Sequence, residues 1–146
     1  MLQREVQFFT SKQTFGFTTV EIALKPLVDS GHLREVAATN DEVDQLSKKF
    51  NPSFFEVLGD GELEALALLV ADKIPDTRFS TADGPAIKAL GALSMGHSGV
   101  SFESLLIEVG QAKNTARLPK HFKKSFFEWQ LSVGRAESSI LLSRSL

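Results

Sequence analysis

The sequence predicts an α/β fold, a three-layer α/β/α sandwich with a short parallel sheet, and three observations carry that expectation. Short β-branched or apolar stretches alternate with stretches of helical periodicity, as in chains that cover a parallel sheet on both faces. The segment Glu62–Asp72 is almost wholly apolar after its opening glutamates, which describes a helix buried on more than one side. Acidic residues stand where loops and predicted strands pass into helices, at Asp60, Glu62 and Asp83. Folds of this class bind ligands beyond the carboxyl ends of their strands.

Taken in order, Thr14–Thr19 is aromatic and β-branched and reads as a strand. Val20, Ala23, Leu24, Leu27 and Val28 then share one helical face, and Gly31 stops that helix. Leu33–Thr39 reads as a second strand. Asn40 is the expected N-cap of the next helix, with Asp41 and Glu42 in its first turn and Val43, Leu46 and Phe50 as its stripe. Residues 51–61 form a connection, and Pro75 ends the apolar helix that follows. Thr77–Ala82 reads as a third strand. Gly84-Pro85 opens a helix with proline at its first position, with Ile87, Leu90 and Leu93 facing inward. Ser101 caps a helix carrying Phe102, Leu105, Leu106 and Val109, ended by Gly110. Phe122, Phe126, Trp129 and Val133 recur at helical spacing near the C-terminus.

The 146 residues are enough for one ordinary domain with a real core, and the chain reads as a single domain over 1–146. With no cysteine, disulfides, thiolate metal sites and cysteine nucleophiles are excluded. No apolar run reaches the length of a membrane span, and no apolar signal core follows the N-terminus. A cytoplasmic protein with no membrane partner is expected. The formal net charge is only −2, but it is unevenly spread. From Gln111 to Leu146 seven Lys and Arg face two acids, whereas the first 110 residues carry nine bases and sixteen acids. That basic aromatic region is either a solvated helical face or a surface for a polyanion. The cluster Phe122, Phe126, Phe127 and Trp129 is read the same two ways, as core packing or as an aromatic surface for RNA or a partner.

Carboxylates converging on a sheet edge would hold Mg²⁺ or Mn²⁺, which prefer hard oxygen ligands, and such an ion could activate water against a phosphate. Glu62 and Glu64 are two residues apart, so at most one of them points straight into such a site. The same acids also suit helix starts for electrostatic reasons alone. His32, His97 and His121 lie in unrelated segments without zinc spacing, and no nucleophile elbow, P-loop or dinucleotide fingerprint occurs.

The run Gly61-Glu62-Leu63-Glu64-Ala65-Leu66-Ala67 resembles the acidic helix start of PIN-domain ribonucleases. The run Phe79-Ser80-Thr81-Ala82-Asp83, followed by Ala86, Lys88 and Ala89, resembles their later strand and helix. Thr18-Thr19-Val20-Glu21 resembles, less specifically, the strand end that carries a further glutamate. The resemblance spans roughly Phe15 to Val109. It implies a metal-dependent endoribonuclease acting on single-stranded RNA. Glu21, Glu64 (with Glu62 as the competing choice) and Asp83 would be the catalytic and metal-binding acids. Thr81 and Lys88 would touch substrate. The family's first strand ends in an aspartate, whereas the first aspartate here is Asp29, inside a predicted helix. The expectation is therefore a chain lacking its N-terminal strand, or one that has lost a ligand. Glu5–Phe9 offers a short replacement strand, and exchange of a strand with a partner or a second copy would also fill the gap. The alternative functions are a non-catalytic module that binds nucleic acid or protein, and one half of a toxin–antitoxin pair with an antitoxin-like partner.

Overall fold

A computed structural model of the chain describes residues 8–13, 16–21 and 23–144, with side chains from Ala23 onward. Its described part divides into two compact units, residues 1–37 and 38–146.

In the first unit, β1 (Phe8–Gln13) and β2 (Gly16–Glu21) pair antiparallel, with Phe8 opposite Glu21 and Gln13 opposite Gly16. Only two residues separate the strands, so an antiparallel ribbon is the geometry open to them; a parallel pair needs a crossover of a dozen or more residues. The predicted strand Thr14–Thr19 thus contributes to a local hairpin and not to a central sheet. The helix expected from Val20 is confined to α1 (Lys25–Asp29), with Pro26 in its first turn, and Gly31 follows it at φ +78°. Arg34–Thr39 adopts no regular structure. That stretch places Arg34 and Glu35 side by side and ends in Ala37-Ala38, residues poorly suited to a buried strand. Its Val36 is 44% exposed.

The second unit is helical. Its helices are α2 (Asn40–Ser47), α3 (Pro52–Phe55), α4 (Asp60–Val70), α5 (Gly84–Ala92), α6 (Phe102–Glu108), α7 (Lys124–Ala136) and α8 (Ser138–Leu141). The N-cap of α2 is Thr39, one residue before the expected Asn40. Thr39 Oγ1 accepts from Glu42 N, and Glu42 Oε2 accepts from Thr39 N, a reciprocal capping box. As its composition implies, α4 is enclosed: Leu66, Ala67, Leu68 and Leu69 are consecutive and buried. Asp72 turns the chain out of α4 at φ 54°.

The core joins Leu46 and Phe50 after α2, Leu58, the buried side of α4, Ala86, Ile87, Ala89 and Leu90 of α5, and Phe127 and Leu131 of α7. The central pair is α5 with α7, and it is close because glycines lie between them. A Cβ at Gly91 would strike the backbone carbonyl of Leu131, and one at Gly134 would strike that of Lys88. The chain end is laced back onto the start of α3. Asn51 N donates to Leu141 O at 2.8 Å, Ser143 N to Lys49 O at 2.9 Å and Ser143 Oγ to Phe50 O at 2.7 Å.

These observations correct the α/β expectation and, with it, the PIN-like reading. Among the described residues there is no central parallel sheet; the one sheet is the two-stranded antiparallel hairpin. The predicted strand Thr77–Ala82 survives as a single parallel bridge between Phe79 and Gly99, closed by Phe79 N to Ser98 O at 2.7 Å and Val100 N to Phe79 O at 3.0 Å. With no central sheet there is no strand gap to fill, so the argument for strand exchange loses its basis. No helix among the described residues is long and apolar enough to cross a membrane.

Candidate nucleic-acid interface

Of the acids expected to share a cation, Glu62 and Asp83 stand at helix starts. Gly59 is the N-cap of α4, and Glu62, three residues on, folds its carboxylate back over it: a Cβ built at Gly59 would lie 2.5 Å from Glu62 Oε2. Glu64 is half-buried farther along α4. Asp83 is the N-cap of α5, where its Oδ2 accepts from Ala86 N at 3.0 Å. Thr81 Oγ1 accepts from Asp83 N at 3.1 Å. Lys88 is half-buried on α5, with its backbone carbonyl under Gly134. Glu21 closes β2 opposite Phe8, and its side chain lies outside the described residues.

Among the described residues no three His, Asp or Glu side chains stand close enough together to hold a metal ion. Asp83 accepts the Ala86 N–H at the positive end of α5, and Glu62 lies over the start of its own helix. Among the described residues these acids are not gathered at one point, as the several oxygen ligands of Mg²⁺ or Mn²⁺ would be. At Asp83 and Glu62 the acidic pattern coincides with the starts of helices.

A different surface collects the uncompensated charge. Gly110, at φ +77°, turns the chain out of α6. Residues 111–124 then carry Lys113, Arg117, Lys120, Lys123 and Lys124 and no acid. Two single-turn 3₁₀ helices, Ala112–Asn114 and Lys120–Phe122, shape this segment. Asn114 Nδ2 donates to Gln111 Oε1 and Thr115 Oγ1 to Ala112 O, both at 2.7 Å, so the turns are internally bonded. Lys113, Arg117, Lys120 and Lys124 are exposed. Lys124 Nζ lies 3.6 Å from Glu128, and its backbone N–H donates to Glu103 Oε2 at 2.7 Å. The other four cations make no ion pair among the described residues.

Aromatic rings are interleaved with this charge. The His121 and Phe122 rings have centroids 4.5 Å apart, and Phe122 meets Phe102 edge-on at 5.8 Å. Lys123 is extended (φ −82°, ψ 151°), so Phe122 is not on the face of α7, as its spacing had suggested. Phe126 and Trp129 pair edge-on at 6.0 Å on α7, with Trp129 56% exposed. Phe127, one residue from Phe126, points into the core. The aromatic cluster is thus split: Phe127 is core, and Trp129 is presented outward.

Arg78 and Glu108 form a two-pronged ion pair, Nη1 to Oε1 and Nη2 to Oε2, both at 2.7 Å. The hydrogen bond from Arg78 holds the Glu108 carboxyl below its ordinary range, and the same bond raises Arg78. The pair ties the 77–79 stretch to the end of α6. Comparison of the chain with protein-family models, curated proteins and solved structures finds no match.

Proposed function

We propose that this chain is a nucleic-acid-binding module that grips the phosphate backbone with the 111–124 segment. The observation that carries the reading is the concentration of five cations, four of them exposed and four of them unpaired among the described residues, on one acid-free stretch. Such a stretch sets up a local positive potential even though the molecule as a whole is slightly acidic. Phosphates would replace the counterions gathered there, and their release is what drives non-specific association.

The test is the salt dependence of binding to a fluorescently labelled RNA strand. Four phosphate contacts on a single strand give a slope of log K against log salt of roughly −3. Lys113→Gln, Arg117→Gln, Lys120→Gln and Lys123→Gln combined should flatten that slope towards zero while leaving the circular dichroism spectrum unchanged. Absence of binding by the unaltered chain at low salt would end the proposal.

A further inference from the structure

We infer that the recess where the ends of α2 and α5 meet the C-terminal segment binds a small phosphate monoester through Lys48, Lys49 and Arg144. This site is separate from the 111–124 segment. The backbone itself brings the three cations together. Phe50 and Leu142 form an antiparallel bridge, and Ser143 N donates to Lys49 O at 2.9 Å, so Arg144 directly follows a residue bonded to Lys49. Ser143 Oγ donates to Phe50 O at 2.7 Å and closes the same connection. All three cations line one recess of about 490 Å³, together with Ser143 and residues 92–94 at the end of α5.

The charge gathered there is not already spent. No acid lines the recess among the described residues. Asp44, one turn before Lys48, is not within ion-pair distance of it, and none of the three cations makes an ion pair among the described residues. Helix ends attract cations for a simpler reason, because each carries about half a negative charge. The end of α2 at Lys48 and that of α5 at Leu93 together offset about one of the three positive charges and leave roughly two. That surplus matches a phosphate monoester, which approaches a dianion at neutral pH, better than a singly charged diester or carboxylate. Arg144 supplies the forked N–H groups that suit two phosphate oxygens at once. Ser94 follows the C-cap of α5 at φ 58°, where glycine is usual. Serine sets an exposed hydroxyl, able to donate, on the recess instead. A volume of this size is in the range that holds small organic ligands and not only a lone ion, so the phosphate is bound as an ester.

The experiment titrates the isotope-labelled chain at constant ionic strength with phenyl phosphate, inorganic phosphate and dimethyl phosphate, and follows the backbone amides by NMR. Phenyl phosphate should give saturable shifts at Lys49, Ser94, Ser143 and Arg144. Inorganic phosphate should move the same amides, and the diester dimethyl phosphate should not. Arg144→Gln should weaken phenyl phosphate binding by roughly tenfold or more, the loss expected for a hydrogen bond to a charged group. Arg144→Lys should restore only part of it, because lysine lacks the fork. Lys48→Gln combined with Lys49→Gln should weaken binding as well. Combined replacement of Lys113, Arg117, Lys120 and Lys123 by Gln should leave it unchanged, which separates this site from the nucleic-acid segment. Shifts centred on 111–124, equal response to monoester and diester, or undiminished binding by Arg144→Gln overturns the inference. Binding of inorganic phosphate without phenyl phosphate overturns the assignment to an ester.

Discussion

At Gly134 a hydrogen atom is all that separates α7 from the carbonyl of Lys88, and at Gly91 the same holds for α5 against the carbonyl of Leu131. Backbone cannot swing aside as a flexible side chain can, so a methyl group at either position must push the two helices apart. Gly134→Ala should cost about 3 kcal/mol or more in urea unfolding, at or above the usual upper end for overpacking. Gly61 gives the opposite case: it is helical, exposed and has open space where a Cβ would go. Gly61→Ala should therefore stabilise by about 0.5–1 kcal/mol through helix propensity and a less free unfolded chain. Equal signs for these two substitutions would contradict the helix-crossing geometry. At Asp83 the cap predicts its own pattern. Asp83→Ala should lose about 1 kcal/mol, whereas Asp83→Asn should lose only a few tenths, because asparagine caps nearly as well.

Among the elements, α6 ends on a two-pronged charge pair. Glu108 is depressed by its hydrogen bond from Arg78. A carboxyl with a lowered folded-state value adds stability above its unfolded value and loses it as pH falls through the folded one. Since both groups are solvent-exposed, the effect is small and salt-sensitive. The stability difference between the unaltered chain and Glu108→Gln should therefore be present at neutral pH and vanish in the acid range. A difference that persisted below the carboxylate range would refute the assignment to this pair. Helices were legible at this scale because periodicity and caps are local: the apolar run of α4, Pro85 at the head of α5 and Ser101 before α6 all mark true elements. Strands were not, because a strand exists only through its partner. Thr77–Ala82 has strand-like residues but finds one bridge, and Leu33–Thr39 finds none. The candidate site was ambiguous for a related reason. Glu62 and Asp83 sit at helix starts whether or not a metal is to be bound, so their spacing alone could not separate ligand from cap. The basic segment was visible as charge. Its separation from the core stripe was hidden by the extended backbone at Lys123, which no spacing rule anticipates.

For the molecule as a whole, the path of the chain through the second unit has a mechanical consequence. Residues 109–123 link α6 to α7, and they offer trypsin exposed Lys113, Arg117 and Lys120. What lies beyond that link, however, is held by packing: Phe127, Leu131 and Leu141 are buried, and Gly134 seats α7 against α5. A single cut in the segment should accordingly leave two peptides that stay together as a non-covalent pair. The nicked protein should elute as one species in native size-exclusion chromatography and fall into two only in denaturant. The interior pieces need no continuous chain to find each other, so separately produced halves, joined at neither end, should reconstitute the fold on mixing. Release of the C-terminal peptide in native buffer would show that the glycine seat is weaker than its geometry implies.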